Sequence, residues 1–212
     1  MTCADGQPEQ CSGGDEPYCP TTPIVVDVLG QGFHFTGMAV GVKVTFNGSL
    51  LQTSWTDARY SNAWLALDRN GNGVIDDASE LFGELTPQPS SLHPNGYKAL
   101  AVFDDPRYGG NGNGRIDPGD AVYPLLRLWI DRNHDGVSQP DELLSLAEAG
   151  IFAIGLDYVE SDRMDQFGNS FRFRAPIWDE YGRTDPRAYD VFLMVAPPGP
   201  PPTGAKNSGA PD

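Results

Sequence analysis

Three stretches of this 212-residue chain repeat one arrangement of oxygen-bearing side chains: LDRNGNGVIDDASE, GGNGNGRIDPGD and IDRNHDGVSQPDE. Each places Asp or Asn at alternate positions, a glycine at the sixth place (Gly73, Gly114, Gly136) and an acid near the end. Carboxylates and amides set this close repel or compete unless something sits between them. A hard cation that takes six to eight oxygens needs this spacing, with side chains at places one, three and five, a sharp turn at six, a carbonyl at seven and a closing acid at twelve. The chemistry implied is calcium (Ca2+) binding by EF-hand-like loops.

The third stretch is the most complete. Asp131, Asn133 and Asp135 fill places one, three and five; Val137 offers its carbonyl, Gln139 stands ninth and Glu142 twelfth. In the first, Asp68, Asn70, Asn72, Val74 and Asp76 keep the pattern, but place twelve is Ser79. Either the loop bulges to admit Glu80, or Asp76 and Asp77 complete the set. In the second, Asn111, Asn113, Arg115, Asp117 and Asp120 hold places three, five, seven, nine and twelve, while the first is Gly109. Asp105, or its neighbour Asp104, must supply the missing carboxylate across the insertion PRYGG. Simple Asn-Gly turns are the competing explanation, most of all for the two incomplete loops. Fewer charges mean weaker binding, so the third loop ranks tightest and the second weakest.

Whole-chain properties set limits on partners. The net charge of −15, from 29 acids against 14 bases, argues against nucleic acid, which demands clustered Lys and Arg. It suits a cation binder and equally a solvated surface. No apolar run reaches membrane-spanning length, so membrane insertion is not expected. Any protein or glycan partner is unnamed by the sequence. No catalytic residue set is expected: His34, His93 and His134 are scattered, and no nucleophile motif is present.

The elements that must position the loops follow from pattern. PIVVDV, the run FHFTGMAVGVKVTFNGSLLQTSWT with its Asn47-Gly48 turn, AWLALD, IFAIGLDYVES, NSFRFRA and AYDVFLMV read as strands and hairpins. YKALAVFD, DAVYPLLRLWI and PDELLSLAEAG have helical spacing, the last with Pro140 at its start and Gly150 as its stop. The helices after the second and third loops are expected to pack through Leu125, Leu128, Leu143 and Leu146. The fold class expected is α+β, with short strands and hairpins flanking a helical centre. Residues 1–22, with Cys3, Cys11 and Cys19, read as a flexible leader, 23–195 as the calcium-binding domain and 196–212 as a disordered Pro/Gly-rich tail.

From Pro23 to Ala175 the order of motifs resembles the calcium-binding module of RTX-type bacterial exoproteins, including their self-processing domains. The carriers are PIVVDVLGQGF, LDRNGNGVIDDASELFG, NGYKALAVFD, NGNGRIDPGD, LRLWIDRNHDGVSQPDEL and GLDYVES. The resemblance implies calcium binding and an extracellular or cell-envelope location. In self-processing members an Asp-Pro bond just before the apolar strand is cleaved. Here that bond is Thr22-Pro23, which has no carboxylate. An acidic loop also present in such modules is DVLGQG here, with Leu29 and Gln31 in ligand places. The expected function is therefore calcium binding with a mainly structural ion. The alternatives are self-cleavage at an internal Asp-Pro bond, above all Asp185-Pro186, or a calcium-stabilised adhesion or carbohydrate surface using exposed tryptophans.

Overall fold

A computed structural model of the protein describes residues 22–46 and 49–196. Its strands are β1 (Ile24–Asp27), β2 (Phe35–Thr36), β3 (Val42–Phe46), β4 (Ser49–Thr53), β5 (Trp55–Thr56), β6 (Asn62–Ala66) and β7 (Arg115–Ile116). They continue as β8 (Arg127–Trp129), β9 (Leu143–Ser145), β10 (Ala153–Gly155), β11 (Val159–Met164), β12 (Ser170–Trp178) and β13 (Thr184–Phe192). One short helix, α1 (Gly96–Ala101), is capped by the Asn95 side chain. Nine strands form an antiparallel sheet in the order β7-β10-β12-β13-β1-β6-β8-β9, with β11 added to β12. The pairs β2-β5 and β3-β4 stand apart from it.

Both faces of this sheet are buried, and the alternation along its strands decides which side chain goes where. Ile24, Val26, Ala63, Leu65 and Leu128 join Tyr97 and Leu100 of α1 in one core. Val25, Trp64, Ala66 and Trp129 point the other way, against Trp55, Phe35, Val42 and Val44 from the small sheets. Strand runs buried on both faces lose their polar alternation, which is why AWLALD reads as continuously apolar.

The expected α+β class with a helical centre is therefore wrong: the centre is β. The residues Leu128 and Leu143–Ser145, expected on a packed helix pair, lie on two adjacent strands, with Leu128 opposite Leu144 and Trp129 opposite Leu143. Leu125 is exposed instead of packed. The reason is visible in LRLWI. Short apolar runs fit both periods, but only a strand can send Leu128 into one core and Trp129 into the other. Burying a side chain of that size is worth roughly 1.5–3 kcal/mol, and a helix would bury one face only. The helix-start signal at Gln139–Glu142 is real, yet it yields a single 3-10 turn (Pro140–Glu142) with a capping box. The expected strands and the β3-β4 hairpin form, while Asn47 and Gly48 at its tip lie outside the described residues. So do the leader up to residue 21 and the tail from residue 197.

Candidate functional site

None of the three acidic stretches is a helix-loop-helix unit: the first and third leave strands of the sheet, and the second runs from the 3-10 turn Val102–Asp104 after α1 into β7. The first leaves β6 and returns at Leu81, which bridges back to Ala66. The third joins β8 to β9, and the second ends in β7, whose Ile116 pairs with Ile154 of β10.

Their internal hydrogen bonds superpose. At place one, Asp131 accepts the N–H of Asp135 (3.2 Å) and of Gly136 (2.9 Å). Asp68 likewise accepts from Asn72 (3.2 Å) and Gly73 (2.8 Å). In the second loop Asp104 does so, from Asn113 (3.1 Å) and Gly114 (2.9 Å). Asp104 therefore holds the first place. Asp105, the residue ranked for that role, caps the next 3-10 turn and pairs with Arg107 at 2.5 Å. The Arg107 guanidinium holds its carboxyl at a pKa of about 2. The insertion PRYGG is accommodated by this turn, so the missing carboxylate comes from one residue earlier.

At place three, the carbonyl oxygens of Asn70, Asn111 and Asn133 each accept the N–H of place five. At place five, Asn72, Asn113 and Asp135 each accept the N–H of place seven, on Val74, Arg115 and Val137. The closing acid is equally regular. Glu142 accepts from Arg132 (2.7 Å) at place two and Gln139 (3.3 Å) at place nine. Glu80 accepts from Arg69 (3.0 Å) and Asp76 (3.0 Å), the same two places. Asp120 differs in one bond: it takes the N–H groups of Asn111, at place three, and of Asp117, at place nine. The first loop thus bulges by one residue and brings Glu80 to the twelfth position, while Asp77 turns away to cap Ala78–Glu80.

Sharp turning comes from left-handed backbone at places four and six. Place six is Gly73, Gly114 and Gly136 (φ 86°, 81° and 73°), and place four is Gly71, Gly112 and His134 (φ 73°, 71° and 59°). Only His134 carries a side chain there. It does not face solvent freely, because its Nε2 lies 2.8 Å from the Val40 carbonyl.

The third loop is also tied into the Trp-lined core. Trp55 Nε1 donates to Asp131 (2.9 Å), and Trp129 Nε1 donates to Glu142 (3.2 Å). The two indoles meet edge-on at 5.5 Å. Asp131 and Glu142 are buried, and burial, with help from the nearby Glu142 charge, raises the pKa of Asp131. Sequence reasoning missed these two tryptophans as partners of the acids. The signal was present as a Trp two residues before the loop; for Trp55, distant in sequence, there was none.

Places five and nine face one another. Asn72 donates its amide to Asp76 (2.9 Å), Asn113 to Asp117 (2.8 Å), and Gln139 to Asp135 (3.0 Å). Turning an amide over would present its oxygen in place of its NH2. In the second loop the carboxylate of Asp117 is already engaged by Asn111, Asn113, Gly119 and the Arg115 guanidinium. Burial would raise its pKa, but these donors outweigh it and lower it. Among the described residues, no three Asp, Glu, His or Cys side chains are gathered as they would be around a metal ion.

Other expected features fare differently. Trp55, Trp64 and Trp129 are buried, so the tryptophans suggested as an exposed glycan platform are core residues, apart from half-buried Trp178. Asp185 sits in β13 with its carboxylate 3.3 Å from Arg187. No helix among the described residues is long and apolar enough to cross a membrane.

Known proteins place the chain. The protein called iron-regulated protein FrpA, from Neisseria meningitidis serogroup C, is 35% identical over 153 residues, which is 70% of this chain and 13% of that protein. The chain thus spans a small part of that relative's length. Residues 24–194, from the start of β1 to just beyond β13, match the family model described as the SPM domain, and the chain belongs to that family.

Proposed function

We propose that this domain binds calcium at its EF-hand-like loops and that the ion is mainly structural. The observation that carries this reading is the shared hydrogen-bond frame of the three loops. It fixes places one and twelve by backbone N–H groups and sets the side chains of places five and nine against one another. The first carboxylates, and Glu80 and Asp120 at the close, keep lone pairs beyond the bonds they accept. Glu142 instead accepts four N–H groups, from Arg132, Asn133, Gln139 and Trp129, so an ion there must replace one of them. A divalent ion between them offsets the repulsion of the acids, and its binding energy stabilises the fold.

In this reading Asp131, Asn133, Asp135, the Val137 carbonyl, Gln139 and Glu142 hold the tightest ion. Asp68, Asn70, Asn72, Val74, Asp76 and Glu80 hold a second. Asp104, Asn111, Asn113, Arg115, Asp117 and Asp120 form the weakest site, because the Arg115 cation already pairs with Asp117. The likeness to FrpA and the order of motifs support an RTX-related bacterial protein working outside the cell or in its envelope. Extracellular modules of this chemistry bind calcium at about 10⁻⁴–10⁻³ M. Self-cleavage gains no support, since the carboxylates of Asp105, Asp117 and Asp185, the acids preceding proline, are each paired with a neighbouring arginine.

Calorimetric calcium titration of the EDTA-treated full chain, beside Glu142→Gln, tests the reading. Saturable heat that weakens sharply in the variant is expected. No heat, together with a melting temperature indifferent to calcium, would overturn it.

A further inference from the structure

The first and third loops touch at matching places. Ile75, eighth in the first loop, donates its N–H to the Ser138 hydroxyl at 2.6 Å, and Ser138 is eighth in the third. Both residues are buried. The second loop has no such partner at this place: its eighth residue, Ile116, is in the ladder with Ile154 on the far end of the sheet order. A backbone N–H in a buried setting is costly to leave without an acceptor. The Ile75 N–H therefore depends on where the third loop holds Ser138, and the third loop on where the first holds Ile75. The adjoining residues reinforce the seam. Val74, Ile75, Gly136 and Val137 line one cavity of about 210 Å³ beneath the β3-β4 hairpin.

From this contact we infer that the first and third loops bind their ions cooperatively, as one two-ion unit, while the second loop binds on its own. The inference rests on the calcium reading above. An ion in the third loop orders places seven to nine and sets the Ser138 hydroxyl. The first loop then has less chain to order when its own ion arrives, which is positive coupling through shared conformational entropy. The coupling must be reciprocal, so silencing either loop weakens the other by the same factor.

The test is calcium calorimetry on the full chain carrying Asp104→Asn, which silences the second loop. Two saturable sites are expected in this parent. Asp131→Asn should weaken the remaining first-loop site by about fivefold or more, and Asp68→Asn should weaken the third-loop site by the same factor. Adding Ser138→Ala should bring both factors close to one. Two sites indifferent to each other's removal, or a coupling that survives Ser138→Ala, would overturn the inference while leaving calcium binding intact. No heat in the parent would remove the calcium reading itself, and the coupling with it. Should Ser138→Ala fail to fold by circular dichroism, the Asp68→Asn and Asp131→Asn pair decides alone, because neither alters the contact.

Discussion

Asp27–Gly32 and Asp131–Gly136 are the same turn put to different ends. In both, the first carboxylate accepts the fifth and sixth N–H: Gln31 (3.0 Å) and Gly32 (2.7 Å) on Asp27, Asp135 and Gly136 on Asp131. Both have left-handed backbone at places four and six, Gly30 and Gly32 in one, His134 and Gly136 in the other. Beyond the turn they part. Leu29 stands at the third place and is exposed, and Gln31 at the fifth turns its oxygen to the Ser61 N–H. The Asp-x-x-Gly-x-Gly frame thus folds on hydrogen bonds alone. What distinguishes a candidate ion site is the oxygen set at places three, five, nine and twelve, with its indole-anchored ends.

An acid titration would blur that comparison, because the largest pH effect lies elsewhere. Asp190 of β13 is wholly buried, with one oxygen on the Gly96 N–H at 2.6 Å and the other without a hydrogen-bond partner. Burial raises its pKa to about 7. A carboxyl raised in the folded state binds its proton more tightly there, so its contribution is full below the unfolded pKa and is lost as pH climbs to about 7. The loss is about 4 kcal/mol across that window. Chemical denaturation of Asp190→Asn in EDTA should show a flattened profile and higher stability at pH 8. An unchanged slope would put the pH dependence back on the loops.

With that background removed, calcium gives the next largest effect. At a hundredfold excess over its dissociation constant an ion adds about 2.7 kcal/mol per site, or about 5–10 °C in melting temperature for a domain of this size. Glu142→Gln should forfeit the third loop's share and, through the coupling of the two loops, weaken that of the first without abolishing it. Equal calcium shifts in both proteins would mean that the third loop is, like Asp27–Gly32, only a turn.

The converse variant attacks the other side. Asp27→Ala leaves the Gln31 and Gly32 N–H groups without their acceptor and should cost about 2 kcal/mol, read as a fall of about 4–8 °C. The calcium-induced shift should remain whole. A diminished shift would make the Asp27 turn part of the binding unit.

The loops were legible in the sequence because their oxygen-bearing residues are local: alternate places and glycines two apart can be read along the chain. Glu80 at a bulged twelfth place was one of two readings offered, and the choice between them needed the common bonds from places two and nine. The class of fold was not legible. LRLWI and ELLSL satisfy helical and strand periods alike, and the decision fell to two cores, one on each face of the β6-β8-β9 ladder, which no local window contains. The same holds for Trp55, which lies 76 residues from Asp131 in sequence and bonds it directly.

The smallest difference between the two turns lies at place four, where Gly30 faces His134. A non-glycine residue in this left-handed region is strained by about 1–2 kcal/mol. His134 recovers part of that through its bond to Val40, about 1 kcal/mol net, which ties the loop to the segment before β3. His134→Gly relieves the strain, removes the tether and loosens the unfolded chain by a further fraction of a kcal/mol or so. These changes nearly cancel, so the metal-free melting temperature should move by less than about 4 °C. Calcium affinity of the third loop should fall slightly, since the ion must now order a freer turn. A rise beyond that bound would mean that the strain outweighs the tether, and that the third loop keeps its histidine at a cost in stability the Asp27 turn avoids.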